Sequence, residues 1–296
     1  MNEDLYLKLF ACIEGGNEYW SQEVKANGAE LVFSGIEAGF YSHHTSSIKI
    51  KERLANFDLN LAHSEIKNSG AEFICPLSEN WPKGLNDLRN PPFGLIIKGE
   101  CDYLSVLSNS IAIVGTRNPT HYGSRLAADF AAGFADRDFA VVSGGALGID
   151  SAAHLGALAA EGVTFAVLGG GVNKPYPLAN ERLFDDIKCK GLLISEVMPD
   201  VQPVPHRFLI RNRLIAAISK GTLVVEAAFR SGSLRTAREA AEIMRTVLAI
   251  PGPITSPTSD GCHRLIGERC AEIVTSVADA MELISNESCT LCRDGS

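Results

Sequence analysis

Six short apolar runs, each followed by a stretch with helical spacing, constrain the fold of this 296-residue chain more than any other feature. The runs cover residues 111–114, 139–142, 165–168, 192–194, 223–225 and 247–250. Such runs are typical of strands buried on both faces, and the helical stretches between them are typical of crossover connections. The pattern therefore predicts an α/β fold with a doubly wound, mainly parallel sheet.

The chain ahead of this pattern differs in character. Residues 1–70 show helical spacing in short pieces separated by glycines, which predicts a small helical domain. The sheet domain is predicted to span residues 71–284 and to begin with short strands near 73–75 and 94–99, on either side of a proline-rich connector. Residues 285–296 are expected to form a flexible tail.

Charge excludes some classes of protein. Lys and Arg number 27 against 35 Asp and Glu, a net charge of -8, which argues against a uniformly basic nucleic-acid binder or a membrane-surface protein. Residues 207–245, however, contain eight Lys and Arg against three Glu, a local charge of +5. A nucleic-acid site, if present, is therefore predicted to be a local patch within this segment.

The sequence shows no signal peptide, no membrane span and no cysteine framework, and these features bear on location, redox state and metal binding. The acidic start, Glu3 and Asp4, does not resemble a signal peptide, and no apolar run approaches the roughly 18 residues of a membrane span. We therefore expect a cytoplasmic protein that has no membrane partner. The eight cysteines are scattered, which favours reduced thiols. Only Cys289 and Cys292 have ligand spacing, and without a second pair a tail thiol is preferred over a zinc site, so no metal is expected.

The loops after the first three sheet strands are rich in glycine. They contain Gly115-Thr116-Arg117, the segment from Ser143 to Asp150, and the segment from Gly169 to Pro177. Glycines let backbone N–H groups approach an anion, and a following helix N-terminus favours phosphate. Adjacent loops of this kind predict a phosphate-lined crevice, although tight turns alone also require glycine. No G-x-G-x-x-G or P-loop pattern is present, which disfavours nicotinamide binding and ATP hydrolysis.

The most specific segments lie in and around the basic patch. They are Arg211-Asn212-Arg213-Leu214-Ile215-Ala216, Val225-Glu226-Ala227 and the stretch from Ser231 to Ala237. Together with residues 113–117, 143–150, Ala153-His154 and Tyr176-Pro177, they resemble the DNA-processing protein A family (DprA, also called Smf) in order and spacing, from about residue 81 to 284. One departure is Met244, which stands where the family commonly has glycine.

The resemblance implies a Rossmann-like sheet domain preceded by a sterile-alpha-motif-like helical domain. It further implies a protein that binds single-stranded DNA and loads RecA recombinase onto it in natural transformation, without a nucleotide cofactor and without catalytic residues. Single-strand-binding protein is a further candidate partner. A homodimer paired through residues 243–284 is also expected. The predicted DNA-binding residues are Gly115, Thr116, Arg117, Ser143, Gly144, Gly145, Gly170, Lys174, Arg211, Asn212, Arg213, Ser231, Gly232 and Ser233.

Individual side chains leave alternatives open. Tyr176 and Phe208 are candidates for stacking on bases, with core packing an equal alternative. Asp150 and His154 are expected to be structural, the former near a helix start. Glu226 is predicted to support an arginine of the 211–213 segment.

Two other functions use the same crevice. Residues 232–239 are similar in spacing to the G-G-x-G-T-x-x-E loop of nucleoside-monophosphate phosphoribohydrolases, but Ser233 and Arg235 replace its second and third glycines. That arginine suits a longer polyanion better than a mononucleotide. A sensor of a small nucleotide signal is the remaining alternative.

Overall fold

The computed structural model describes residues 3–290, and the side chains of residues 3–285. The chain begins with five helices: α1 (Glu3–Cys12), α2 (Glu18–Asn27), α3 (Ala29–Ala38), α4 (Ser47–Ala55) and α5 (Leu59–Asn68). Side chains cap the N-termini of α2 and α5: Asn17 Oδ1 accepts the Trp20 N–H, and Asp58 Oδ1 accepts the Leu61 N–H. The helical region predicted for residues 1–70 is therefore present.

A nine-stranded sheet follows. Its strands are β1 (Glu72–Ile74), β2 (Leu95–Gly99), β3 (Ser110–Val114), β4 (Ala140–Ser143), β5 (Thr164–Leu168), β6 (Gly191–Ser195), β7 (Gly221–Val224), β8 (Thr246–Ala249) and β9 (Glu272–Ile273), in the order β1-β2-β6-β5-β4-β3-β7-β8-β9. The β1–β2 and β2–β6 pairs are antiparallel and the other six pairs are parallel. The prediction of a doubly wound, mainly parallel sheet is confirmed.

Seven helices cover the two faces of the sheet. They are α6 (His121–Ala135), α7 (Ile149–Ala159), α8 (Glu181–Cys189), α9 (Pro205–Ile218), α10 (Ser233–Glu242), α11 (Asp260–Gly267) and α12 (Val277–Thr290). Alternate strand residues point to opposite faces. Ala112 and Val114 of β3 pack in a core with α9, α10 and α11, whereas Ile111 and Ile113 pack in a core with α6, α7 and α12.

The N-terminal helices share a core with the sheet. Leu9 and Trp20 belong to one apolar cluster with Ile96 of β2, Leu193 of β6 and Phe184 of α8. Helix α12 continues to Thr290, so the first part of the predicted tail is helical. Residues 291–296 and the side chains of residues 286–290 lie outside the part of the chain that the structure describes. The predictions for the Cys289 and Cys292 thiols therefore also lie outside it.

Candidate nucleic-acid interface

A pocket of about 280 Å³ opens beyond the carboxyl ends of β3 and β7. The chain winds from β3 through β4, β5 and β6 towards one edge and then returns to β7 on the other side of β3. Ligands of open α/β sheets bind at such a switch point. The pocket is lined by Val114, Gly115, Arg117, Ala146, Asp150, Phe208, Leu209, Arg211, Asn212, Ile215, Ser231, Gly232, Ser233 and Thr236.

One side of the pocket is suited to an anion. Arg117 is exposed on the loop after β3, and its Cζ lies 6.0 Å from the centroid of the Phe208 ring. It forms no hydrogen bond or ion pair with the side chains described in residues 3–285. Helix α10 begins in the same pocket at Ser233, and its N-cap residue, Gly232, has no side chain to cap it. The Ser233 N–H lies 3.4 Å from the Ser231 hydroxyl, and the dipole of a helix N-terminus attracts phosphate. The hydroxyls of Ser231 and Ser233, 2.7 Å apart, add donors at the same end.

Two buried ionisable side chains, Asp150 and Arg211, line the base of the pocket. Asp150 accepts the N–H groups of Gly144 and Ala146 at 3.1 and 3.3 Å, which fixes the loop after β4. Arg211 donates to the carbonyls of Gly144 and Val167. Burial lowers the pKa of Arg211 to about 10, while Asp150 raises it and Arg117 lowers it. Arg211 therefore stays protonated at neutral pH and adds positive field from below.

Close packing accounts for two of the glycines here. A Cβ at Gly144 would lie 2.5 Å from the Arg211 guanidinium, and one at Gly115 would lie 2.6–2.8 Å from Ile149 and the Glu226 carbonyl. The prediction of a structural role for Asp150 fits these bonds, since its carboxylate serves the loop between β4 and α7.

Seven of the predicted DNA-binding residues meet in this pocket: Gly115, Arg117, Arg211, Asn212, Ser231, Gly232 and Ser233. Thr116 is adjacent, and its carbonyl accepts the Ile149 N–H. The other six do not line the pocket: Ser143, Gly144, Gly145, Gly170, Lys174 and Arg213.

Strand-end and loop residues among these six are engaged by the protein itself. Ser143 is fully buried and donates to the Ile113 carbonyl at 2.6 Å. The Gly144 N–H is taken by Asp150, the Gly145 carbonyl accepts Asn180, and the Gly170 carbonyl accepts Ser195. The Gly144 N–H is therefore not a free donor to a phosphate, contrary to expectation.

Arg213 and Lys174 have acidic partners. The Arg213 side chain is 3% exposed, and its Nη2 lies 2.5 Å from Glu196 Oε1. It does not line the pocket, so the expected phosphate contact of Arg213 stays a prediction that this placement does not favour. Lys174 is partly exposed beside the pocket, with Nζ 4.0 Å from Asp200.

Glu226 has a role that the sequence did not indicate. Its carboxylate accepts the Thr120 N–H at 2.9 Å, the Thr120 hydroxyl at 2.7 Å and the Thr258 hydroxyl at 3.3 Å. Its carbonyl accepts the Thr116 N–H at 2.7 Å. The prediction that Glu226 supports an arginine of the 211–213 segment is wrong, because Glu196 supports Arg213. Glu226 instead ties the loops after β3, β7 and β8 together.

Other candidate groups are structural. His154 is fully buried, its Nδ1 lies 2.7 Å from the Thr164 hydroxyl, and burial lowers its pKa to about 3. It is therefore neutral at physiological pH and remote from solvent. Within residues 3–285, no group of three His, Cys, Asp or Glu side chains is arranged to hold a metal ion. The six described cysteines are free thiols.

An aromatic pair extends the pocket on the Arg117 side. Tyr176 is 50% exposed, and its ring centroid lies 5.7 Å from that of Phe208, which lines the pocket. Neither ring belongs to the buried core. The alternative of core packing is therefore excluded for Tyr176, and its ring is accessible for stacking.

The fold and pocket define a Rossmann-like α/β protein with an open, arginine-lined pocket at the switch point of its sheet. Residues 72–285 match the family model described as DNA recombination-mediator protein A, and the chain belongs to this family. None of the helices between residues 3 and 290 has the length and hydrophobicity that crossing a membrane requires.

Named relatives agree with this assignment. The DNA processing protein DprA of Streptococcus pneumoniae is 42% identical over 225 residues, which are 76% of this chain and 78% of that protein. The X-ray structure of S. pneumoniae DprA superposes with a TM-score of 0.83 at 33% identity, covering 95% of this chain and 98% of that one. A Helicobacter pylori DprA structure, whose description concerns its single-stranded DNA binding mode, gives 0.66 at 29% identity over 73% of this chain and 96% of that one.

Proposed function

We propose that this chain binds single-stranded DNA in the switch-point pocket and loads RecA recombinase onto the bound strand. The observation that carries the proposal is the pocket itself, which the exposed Arg117 lines together with the N-terminus of α10 and the hydroxyls of Ser231 and Ser233. Phosphate contacts of this kind hold a strand without reading its bases. The description of the H. pylori relative as a single-stranded DNA binder supports the same assignment.

The aromatic rings favour single strands over duplex. Phe208 and Tyr176 stand next to Arg117, and a base can stack on an exposed ring only when it is unpaired. We infer that the strand passes Arg117 with its phosphates towards the α10 N-terminus and its bases towards these rings.

Binding is tested by fluorescence anisotropy with single-stranded and duplex oligonucleotides over a salt series. We expect tighter binding to single strands and an affinity that falls with salt. Arg117→Ala is expected to weaken binding by about 10- to 150-fold, because a hydrogen bond to a charged group contributes about 1.5–3 kcal/mol. It is also expected to reduce the log–log salt slope by about 0.7, the value for one phosphate of a single strand.

Arg125→Ala is the matched control, because Arg125 is an exposed arginine that pairs with Asp129 on the outer side of α6. It should bind like the unmodified chain. Equal or tighter duplex binding at matched salt contradicts the proposal.

RecA loading is tested on single-stranded DNA that is already covered by single-strand-binding protein. We expect the unmodified chain to shorten the delay before RecA filaments form, and Arg117→Ala to lose this effect in proportion to its loss of DNA binding. An unchanged delay with the unmodified chain would limit the function to DNA binding. A mononucleotide-hydrolysis assay run beside it tests the phosphoribohydrolase alternative, for which turnover is the supporting result.

A ligand that copurifies with the protein and competes with DNA would support the alternative of a nucleotide sensor. The pocket volume of about 280 Å³ lies just below the range of about 300–1,000 Å³ that is usual for small-molecule sites. Glu239, which occupies the glutamate position of the phosphoribohydrolase loop, pairs with Arg235 at 3.2 Å on the α10 surface. Both observations favour the DNA-binding proposal.

A further inference from the structure

An exposed aromatic ring lies on the loop that leads from β7 into the pocket. Phe229 is 53% exposed, and its neighbours Ala228 and Arg230 are exposed as well. Two residues further on, Ser231 begins the segment that lines the pocket. A single exposed apolar residue is common on protein surfaces, so the surroundings of this ring decide its meaning.

The ring is supported from one side by a cation. Arg264 of α11 places Cζ 4.6 Å from the Phe229 ring centroid, within the range of a cation–π interaction. Arg264 is itself held by Glu268, whose Oε1 accepts its Nε–H at 2.6 Å. The guanidinium thus orients the ring and leaves more than half of the Phe229 surface accessible.

The loop that carries the ring is fixed at both ends. The Ala227 N–H donates to the Thr258 carbonyl at 2.7 Å, and the Ala227 carbonyl accepts the Gly261 N–H at 2.8 Å. The Ser231 N–H then closes a turn on the Ala228 carbonyl at 2.9 Å. Phe229 therefore stands on an anchored turn, as a stacking surface requires.

A free positive charge adjoins the ring. Arg230 forms no hydrogen bond or ion pair with any of the side chains described between residues 3 and 285. It differs in this from Arg235, Arg238 and Arg264, each of which has a glutamate partner. An exposed aromatic ring beside an unpaired arginine is the combination that single-stranded nucleic acid recognises, through its bases and its phosphates.

We propose that Phe229 is a second base-stacking position for single-stranded DNA, outside the pocket, with Arg230 contacting the neighbouring phosphate. The inference rests on the proposed function and extends it. The strand then runs from Tyr176 and Phe208 on one side of the pocket, past the α10 N-terminus, to Phe229 on the other side. The pocket and Phe229 are continuous, because residues 229–232 form the loop that leads into the pocket and on to Ser233 at the start of α10.

The test compares Phe229→Ala and Phe229→Trp with the unmodified chain by anisotropy. Two oligothymidylates serve as probes, one short enough to fill only the pocket and one near the upper end of the site sizes of about 4–16 nucleotides known for single-strand binders. Phe229→Ala is expected to weaken binding of the long strand about tenfold, within the range for loss of one stacked base. Binding of the short strand is expected to stay unchanged, and Phe229→Trp is expected to retain full affinity.

A stacking role has a signature that a structural role lacks. A long strand with abasic positions across its length should bind the unmodified chain and Phe229→Ala equally, because no base is left to stack. Leu31→Ala, which removes an exposed apolar side chain from α3, is the control and should bind every probe normally. Arg230→Ala should lower the salt slope for the long strand alone.

Three outcomes decide between the proposals. If Phe229→Ala binds both strands normally while Arg117→Ala weakens both, the stacking inference is overturned and the proposed function stands. If the unmodified chain binds no single-stranded DNA, both fail. If Phe229→Ala instead lowers the mass measured by light scattering, the ring is a contact between copies of the chain, and the stacking inference is overturned.

Discussion

The arginines of the 211–213 segment show how one motif divides into separate roles at the scale of the residue. Successive residues of an α-helix are rotated by about 100°, so residues two apart lie about 200° apart around the axis. Arg211 and Arg213 of α9 therefore face opposite ways, one towards the pocket base and the other towards Glu196. The sequence contained enough information to predict this divergence, because the segment was recognisable as helical.

Glu226 provides a prediction at the same scale. It is 4% exposed, and its carboxylate accepts only neutral donors, two from Thr120 and one from Thr258. Glu226→Gln removes the charge and replaces an acceptor oxygen by a donor NH₂, so at least one of the three bonds is lost or reversed and the others become neutral, at a cost of about 1–3 kcal/mol. We expect a lower melting temperature and weaker DNA binding, because the loop that carries Arg117 loses its anchor.

The control for this prediction is Thr258→Val, which removes only the longest of the three bonds. Circular dichroism and anisotropy should show a smaller effect for this variant than for Glu226→Gln. Full stability and full affinity of Glu226→Gln would show that the carboxylate does not position the loop.

At the scale of the element, α9 is the helix that joins the pocket to the N-terminal region. Glu14, in the loop between α1 and α2, contacts His206 at 3.0 Å and Arg207 at 3.2 Å in the first turn of α9. Further along α9, Arg213 pairs with Glu196 at the end of β6. The helix that places Phe208, Arg211 and Asn212 in the pocket is thus held from two sides.

The buried Arg213–Glu196 pair gives the prediction for this element. Removing one partner of a buried pair leaves an uncompensated charge and costs about 3–5 kcal/mol. Without Glu196, the buried Arg213 would keep no acidic partner, because its Nε and Nη1 already have no partner among the described residues. Glu196→Ala is therefore expected to lower the midpoint of urea unfolding strongly.

Asp129→Ala breaks an exposed pair with Arg125 and should change the free energy of unfolding by about 0–1 kcal/mol. Similar midpoints for the Glu196 and Asp129 variants would mean that the buried pair contributes no more than a surface pair.

Elements were predictable where they are long or periodic. The six predicted apolar runs all became parallel strands, and the strands near 73–75 and 94–99 joined the same sheet as β1 and β2. The short strand β9 was missed, because two residues carry no periodicity. The contact of Glu14 with α9 was missed as well, since it joins residues about 190 positions apart. Met244 adopts a left-handed backbone conformation, with φ 57°. Glycine adopts this conformation readily, and glycine is the residue that the family resemblance leads one to expect at this position.

At the scale of the whole molecule, the β9 edge of the sheet has no further strand among residues 3–290. Strand β9 pairs only with β8, and both of its residues are exposed. An unpaired edge offers backbone donors and acceptors to another chain. The dimer prediction also rests on ten apolar residues of this region, more than internal packing needs: Ile243, Met244, Val247, Leu248, Ile250, Ile254, Leu265, Ile266, Ile273 and Val274. Five of them, Val247, Leu248, Ile250, Leu265 and Val274, are buried core. Met244, Ile254 and Ile273, in contrast, are 83%, 88% and 51% exposed.

The homodimer therefore stays a prediction, and it now rests on the exposed residues Met244, Ile254 and Ile273. We expect light scattering at micromolar concentration to give about twice the monomer mass of 31.7 kDa, since a symmetric pair is the commonest closed assembly of one chain. Two pockets on one strand raise avidity, so affinity should increase for oligonucleotides long enough to reach both. Ile273→Asp, on the β9 edge, should return the mass to that of the monomer and remove this length dependence. Leu31→Asp, an equivalent charge on exposed α3, should change neither, and a monomer mass for the unmodified chain would refute the dimer.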